Sequence, residues 1–156
     1  MSAEMDHMAG PYLTFALGRE EYGIAFDRVH EILGPDGIVE ADNEKPCFKG
    51  IIKIRNQKMP ILDLRCHFGL GKNEGKDMGA VLVTAIGENG TAGLLVDAIR
   101  QVLHIQANCL KPVQVSPEDP RAEFITGAAH IQGRVISLLN FDRGMEFLPS
   151  VSVSPG

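Results

Sequence analysis

The stretch Gly50-Ile51-Ile52-Lys53-Ile54-Arg55-Asn56-Gln57-Lys58-Met59-Pro60-Ile61-Leu62-Asp63-Leu64-Arg65-Cys66-His67-Phe68 carries the densest structural signal in the chain. Apolar residues crowd both sides of Asn56-Gln57, which predicts strands over 51–55 and 59–62 joined by a tight turn. Asn56 tolerates the left-handed backbone that such a turn demands. Asp63 stands where a side-chain oxygen can cap the free amides of a helix start, so a short helix is expected through Phe68.

Upstream, Leu13, Phe15 and Leu17 alternate with smaller or polar residues, the period of a half-buried strand. Gly18-Arg19-Glu20 then turns the chain into a second strand over 21–26. Asp27 is placed to cap a short helix, in which Val29, Ile32 and Leu33 recur at helical spacing before Gly34-Pro35 ends it. A weak strand is expected over 37–40.

Downstream, residues 69–79 read as a flexible, charged connector that divides the chain near its centre. Strands follow over 80–86 and 91–96, about an Asn89-Gly90 turn, and over 102–105; the first is apolar enough to be covered on both faces. A last hairpin is expected over 124–131 and 134–139 around Gln132-Gly133, with Asn140 capping a terminal helix through Phe147. The total is about ten short strands and three short helices, split five and five, which predicts a mostly β sandwich or pair of small barrels. Residues 1–10 and 149–156 read as fraying tails around a single domain over 11–148.

Composition sets the outer bounds. With 156 residues, 44% hydrophobic and 22% charged, the chain has the makings of an ordinary globular core. Its net charge of −5 and dispersed lysines and arginines argue against nucleic acid as partner. No apolar run approaches the ~20 residues of a membrane span, and the first ten residues lack a signal core, so a cytoplasmic protein without direct membrane insertion is expected. Cys47, Cys66 and Cys109 are odd in number and widely spaced, so no disulfide framework is expected.

Patterns for catalysis or cofactor binding are weak. Gly69-Leu70-Gly71-Lys72-Asn73-Glu74-Gly75-Lys76 has the flavour of a phosphate-binding loop, but Asp77 stands where a magnesium-binding hydroxyl belongs and no long helix follows. Histidines 7, 30, 67, 104 and 130 show no metal-ligand spacing with one another or with the cysteines. No serine or cysteine sits in a known nucleophile setting. The expectation is therefore no enzyme, no metal and no cofactor. What remains is a polar set among apolar strands, Glu31, Lys53, Arg55, Lys58, Asp63, Arg65 and Asp97, of the kind that lines protein interfaces.

Several ordered stretches resemble the CheW-like domain of bacterial chemotaxis. They are Tyr12-Leu13-Thr14-Phe15-Ala16-Leu17-Gly18 with Glu21-Tyr22-Gly23-Ile24, Val29-His30-Glu31-Ile32, Phe48-Lys49-Gly50-Ile51-Ile52, Met59-Pro60-Ile61-Leu62-Asp63-Leu64-Arg65, Gly93-Leu94-Leu95-Val96-Asp97, and Gly133-Arg134-Val135-Ile136-Ser137-Leu138-Leu139. The resemblance implies two five-stranded, SH3-like β-barrels around a shared hydrophobic core. It implies a non-enzymatic scaffold that couples the cytoplasmic domain of a methyl-accepting chemoreceptor to the regulatory domain of the histidine kinase CheA. The alternative within the family is an adaptor in a related chemosensory pathway controlling gliding, pili or a second messenger. Matched by motif, Val29, Glu31, Ile32 and Arg55 fall on the receptor-binding side, with Glu31 and Arg55 expected to pair, and Gly50 and Ile52 fall near kinase contacts. Asn56 replaces the glycine usual after that arginine, and Lys53 replaces a common asparagine.

Overall fold

The computed structural model describes residues 8–40, 47–70, 79–86 and 90–141. In chain order the strands are β1 (Gly10–Leu17), β2 (Glu20–Ala25), β3 (Val29–Leu33), β4 (Phe48–Ile54), β5 (Gln57–Asp63), β6 (Ala80–Ile86), β7 (Gly90–Val96), β8 (Ala98–Ile105), β9 (Leu110–Lys111), β10 (Ile125–Ile131) and β11 (Arg134–Leu139). One short helix, α1 (Leu64–His67), follows β5, and 3-10 turns cover Phe26–Arg28, Pro35–Gly37 and Ala107–Cys109.

The strands form two sheets, ordered β3-β6-β7-β5-β4 and β8-β1-β2-β11-β10-β9. Each closes on itself in the same way. Beyond β3, the chain passes the turn at Pro35–Gly37 and Val39 bridges to Ile51 on β4. Beyond β8, it passes the turn at Ala107–Cys109 and β9 pairs with β10. Counting β8 and β9 as one bent strand, both are five-stranded barrels of the SH3-like kind, and closure leaves few free strand edges.

The division near the chain centre needs correction. Each barrel borrows a hairpin from the other half: β6–β7 join β3–β5, and β1–β2 join β8–β11. The exchange rests on two parallel pairings, β5 with β7 and β2 with β11, and two antiparallel ones, β3 with β6 and β1 with β8. Hydrophobic periodicity shows which residues are buried, but not which distant strand lies alongside.

The halves also repeat one another in detail. A bulge interrupts β4 between Phe48 and Gly50, and another interrupts β10 between Ile125 and Gly127. Positive φ marks Arg55-Asn56 in one hairpin turn and Gln132-Gly133 in the other. The Asp63 amide donates to the Cys47 carbonyl, and the Asn140 amide to the Phe124 carbonyl. Thr14 and Thr84 are the two buried polar side chains among the described residues, and each hydroxyl donates to a backbone carbonyl, that of Gln101 at 3.0 Å and that of Arg28 at 2.9 Å.

Because the barrels pack face to face, central strands are apolar on both sides. On β1, Leu13, Phe15 and Leu17 enter the shared core while Tyr12 fills its own barrel. On β6, Leu82 and Ile86 face the shared core while Val81 and Val83 fill the barrel of β3–β7, as the two-sided pattern over 80–86 predicts. Each such side chain fully buried contributes about 1.5–3 kcal/mol, so the shared core is the main adhesive between barrels.

Four further expectations change. The predicted helix at 27–33 is a 3-10 turn followed by β3, because a bulge at His30 shifts the side-chain phase between Val29 and Glu31 and imitates helical spacing. The tight turn is Arg55-Asn56 and not Asn56-Gln57. The weak strand at 37–40 reduces to the Val39 bridge. Within the stretch expected to fray, β1 already starts at Gly10 and the Tyr12 hydroxyl donates to the Met8 carbonyl at 2.7 Å, while residues 1–7 lie outside the described residues. Asp63 does cap α1, accepting from the Cys66 amide at 3.2 Å. The Asn89-Gly90 turn, most of the connector, the terminal helix and the tail at 149–156 lie outside the described residues.

The cysteines give the last correction. Cys47 and Cys66 form a disulfide with Cα atoms 5.4 Å apart, while Cys109 is free. The two are 19 residues apart in sequence, and the returning β4–β5 hairpin brings them together.

Candidate functional site

The barrel of β3–β7 carries Val29, Glu31, Ile32, Gly50, Ile52 and Arg55. On the edge strand β3, Val29 packs its half-buried side chain against the shared core. Ile32 lies opposite Leu82 of that core yet is 46% exposed, so an apolar side chain reaches water at the margin of the inter-barrel face. Val102 on β8 has the corresponding place, opposite Leu13 and 50% exposed. The sequence places Val102 in a strand without marking it as surface, and its alternation with buried Ile105 is the signal for exposure.

Glu31, opposite Val83, is half-buried, and Arg55 is exposed at the tip of the β4–β5 hairpin with φ of 50°. The expected Glu31–Arg55 pair does not form: no ion pair or hydrogen bond joins them among the described residues. Arg55 shares its hairpin with Lys53 and Lys58, which are exposed and directly opposite each other in register. Like charges facing across strands repel, so this tip favours an acidic visitor.

Gly50 and Ile52 do different work. Gly50 has φ of 149°, and a Cβ there would overlap the Val39 carbonyl oxygen where the barrel closes. Ile52 is 6% exposed and packs with Met59, Ile61, Val81 and Val83 inside the barrel. Gly50 allows the close approach to Val39 and the Ile52 side chain fills the barrel interior, so both fix the course of β4.

The remaining charges of the polar set brace the fold. Arg65 lies 3.5 Å from Asp97, and Asp97 also accepts from the Gly18 amide at 2.7 Å, tying the β1–β2 turn to the crossing between β7 and β8. Arg134 grips both oxygens of Glu21, and Arg121 bridges Asp119 and Glu20 while donating to the Tyr22 hydroxyl. The Arg121 guanidinium holds the Asp119 carboxyl down at about 2, while burial pushes the Tyr22 hydroxyl up to about 12. Burial lowers the His67 pKa beside the shared aromatic cluster, where its ring lies 5.3 Å from Phe124. An open groove of about 320 Å³ beside the β1–β2 turn is lined by Arg19, Arg100 and Arg134 among others. No group of three or more metal-ligating side chains occurs among the described residues, and no helix there is long and apolar enough to cross a membrane. Among the described residues, the barrel of β3–β7 thus presents an exposed aliphatic side chain at Ile32, the half-buried Glu31 carboxylate and a basic hairpin tip at Lys53, Arg55 and Lys58.

Known proteins resemble the chain over the same span. Residues 11–146 match the family model of the CheW-like domain. The chemotaxis protein CheW of Klebsiella aerogenes is 30% identical over 132 residues, covering 85% of this chain and 79% of that protein. That of Rhizobium meliloti is 25% identical over 130 residues, 83% of each. The crystal structure of the scaffolding protein TtCheW from Thermoanaerobacter tengcongensis aligns with a TM-score of 0.78 at 26% identity, covering 94% of this chain and all of that one. With its two closed barrels and a family match across both, the chain belongs to the CheW-like domain family.

Proposed function

We propose that the protein is a chemotaxis coupling adaptor, a non-enzymatic scaffold joining the cytoplasmic domain of a methyl-accepting chemoreceptor to the regulatory domain of the histidine kinase CheA. The observation that carries this reading is the match over residues 11–146 to a family whose relatives are chemotaxis CheW proteins. It works in the cytoplasm, held at receptor arrays by its partners, and needs no cofactor.

The receptor side is the barrel of β3–β7. Val29 and Ile32 supply an apolar margin for a helix of the receptor, in the mode by which amphipathic helices seat in grooves. Arg55, with Lys53 and Lys58 behind it, meets an acidic side chain of that helix; a guanidinium fork binds carboxylate in two parallel bonds. Glu31, uncommitted within the described fold, meets a basic or amide group. Gly50 and Ile52 serve kinase contact indirectly, by setting the path of β4.

A binding titration tests the reading. The purified chain should bind a receptor cytoplasmic fragment, and the Arg55→Ala variant should bind it about tenfold or more weakly, as loss of about 1.4 kcal/mol or more requires. Equal affinity of variant and parent would remove Arg55 from the contact.

A further inference from the structure

The two halves anchor equivalent strands differently. Where the second half starts β10, Phe124 is fully buried, with its ring 4.9 Å from Phe141 and 5.3 Å from His67. Where the first half starts β4, the equivalent residue is Cys47, whose carbonyl accepts from Asp63 just as the Phe124 carbonyl accepts from Asn140. Cys47 is only half-buried, and its anchor is the bond to Cys66 on α1. The Cα separation of 5.4 Å lies within the range that accepts a disulfide without moving the backbone. Cys66 is an exposed residue on α1, at the surface of the barrel.

We infer that Cys47 and Cys66 form a reversible oxidation site that fastens and releases the start of β4, with a small-molecule disulfide such as oxidised glutathione as the oxidant. The exposed Cys66 thiolate attacks one sulfur of the small disulfide, whose S–S bond breaks and releases one thiol. Cys47 thiolate then attacks Cys66 Sγ, forming the protein disulfide and expelling the second thiol. Two protein thiols are oxidised and one small disulfide is reduced to two thiols, with the two cysteine protons passing to the leaving thiolates. The reverse exchange, with excess small thiol, opens the bond.

The consequence is confined to one barrel. Reduction removes the tie between β4 and α1 but leaves the Phe124 anchor of β10 in place. The barrel affected carries Ile32 and Arg55.

The test uses the full chain in glutathione buffers from fully reduced to fully oxidised, read by differential alkylation with mass spectrometry and by amide hydrogen exchange. Cys47 and Cys66 should oxidise together and reversibly, while Cys109 remains open to alkylation. The Asp63 and Ile51 amides should exchange at least tenfold faster in the reduced form, with Asn140 unchanged. The oxidised form should melt higher by about 5–10 °C. Persistent thiols in oxidised buffer, glutathione adducts without the internal bond, or joint oxidation that leaves Asp63 and Ile51 exchange unaltered would each overturn it.

Discussion

Arg55 shows how little of a residue's role follows from its type. It sits at positive φ, a conformation that costs a side-chain-bearing residue energy, and no described residue repays that cost with an ion pair. The expected brace with Glu31 is absent, whereas Arg65, Arg121 and Arg134 are all engaged in the fold. Arg55→Ala is therefore expected to leave thermal stability within about 2 °C of the parent by calorimetry, even as receptor affinity falls. Thr14 makes the opposite prediction. Its buried hydroxyl donates to the Gln101 carbonyl opposite a bulge, so Thr14→Val should cost about 1–2 kcal/mol in denaturant unfolding by stranding that acceptor.

Among elements, α1 and its flanking aromatics couple stability to pH. Burial lowers the His67 pKa from its ordinary 6.5, so the unfolded chain takes up a proton more readily than the folded one. The contribution is complete above 6.5 and is lost as pH falls through the lower folded value. Chemical unfolding should thus show stability declining from neutral toward mildly acidic pH, with a shallower decline in His67→Gln. Elements differ in how plainly the sequence announces them. Residues 80–86 and 134–139 match β6 and β11 because their side chains are locked by burial on one or both faces. Asp63 is legible as a cap because its chemistry is local. The segment 27–33 is not, since the bulge at His30 exists only through pairing with β6. The Cys47–Cys66 bond is hidden for a similar reason: only the assembled β4–β5 hairpin makes a separation of 19 residues short in space. Of the candidate site, the exposure of Arg55 is legible from its turn, whereas the exposure of Ile32 and the burial of Ile52 are decided only by the assembled barrel.

At the scale of the whole molecule, each barrel is completed by a hairpin from the other half, so neither is a module that folds alone. The junction is closely fitted: Gly93 on β7 lies beside β5, where an added Cβ would meet Ile61 Cδ1 at 2.5 Å and Val81 Cγ1 at 2.7 Å. Gly93→Ala should therefore destabilise both barrels in one cooperative transition, by about 1–3 kcal/mol, and separate melting of the two would contradict the exchange. A single body with two fused barrels suits a scaffold, because one partner can hold one face while another engages elsewhere without a hinge between them. The most direct measurement is light scattering after size-exclusion chromatography of the chain mixed with a receptor cytoplasmic fragment and a CheA regulatory domain. The account predicts a species containing all three proteins, formed only when the chain is present; receptor and kinase fragments that elute separately from the chain at micromolar concentration and low salt would contradict it.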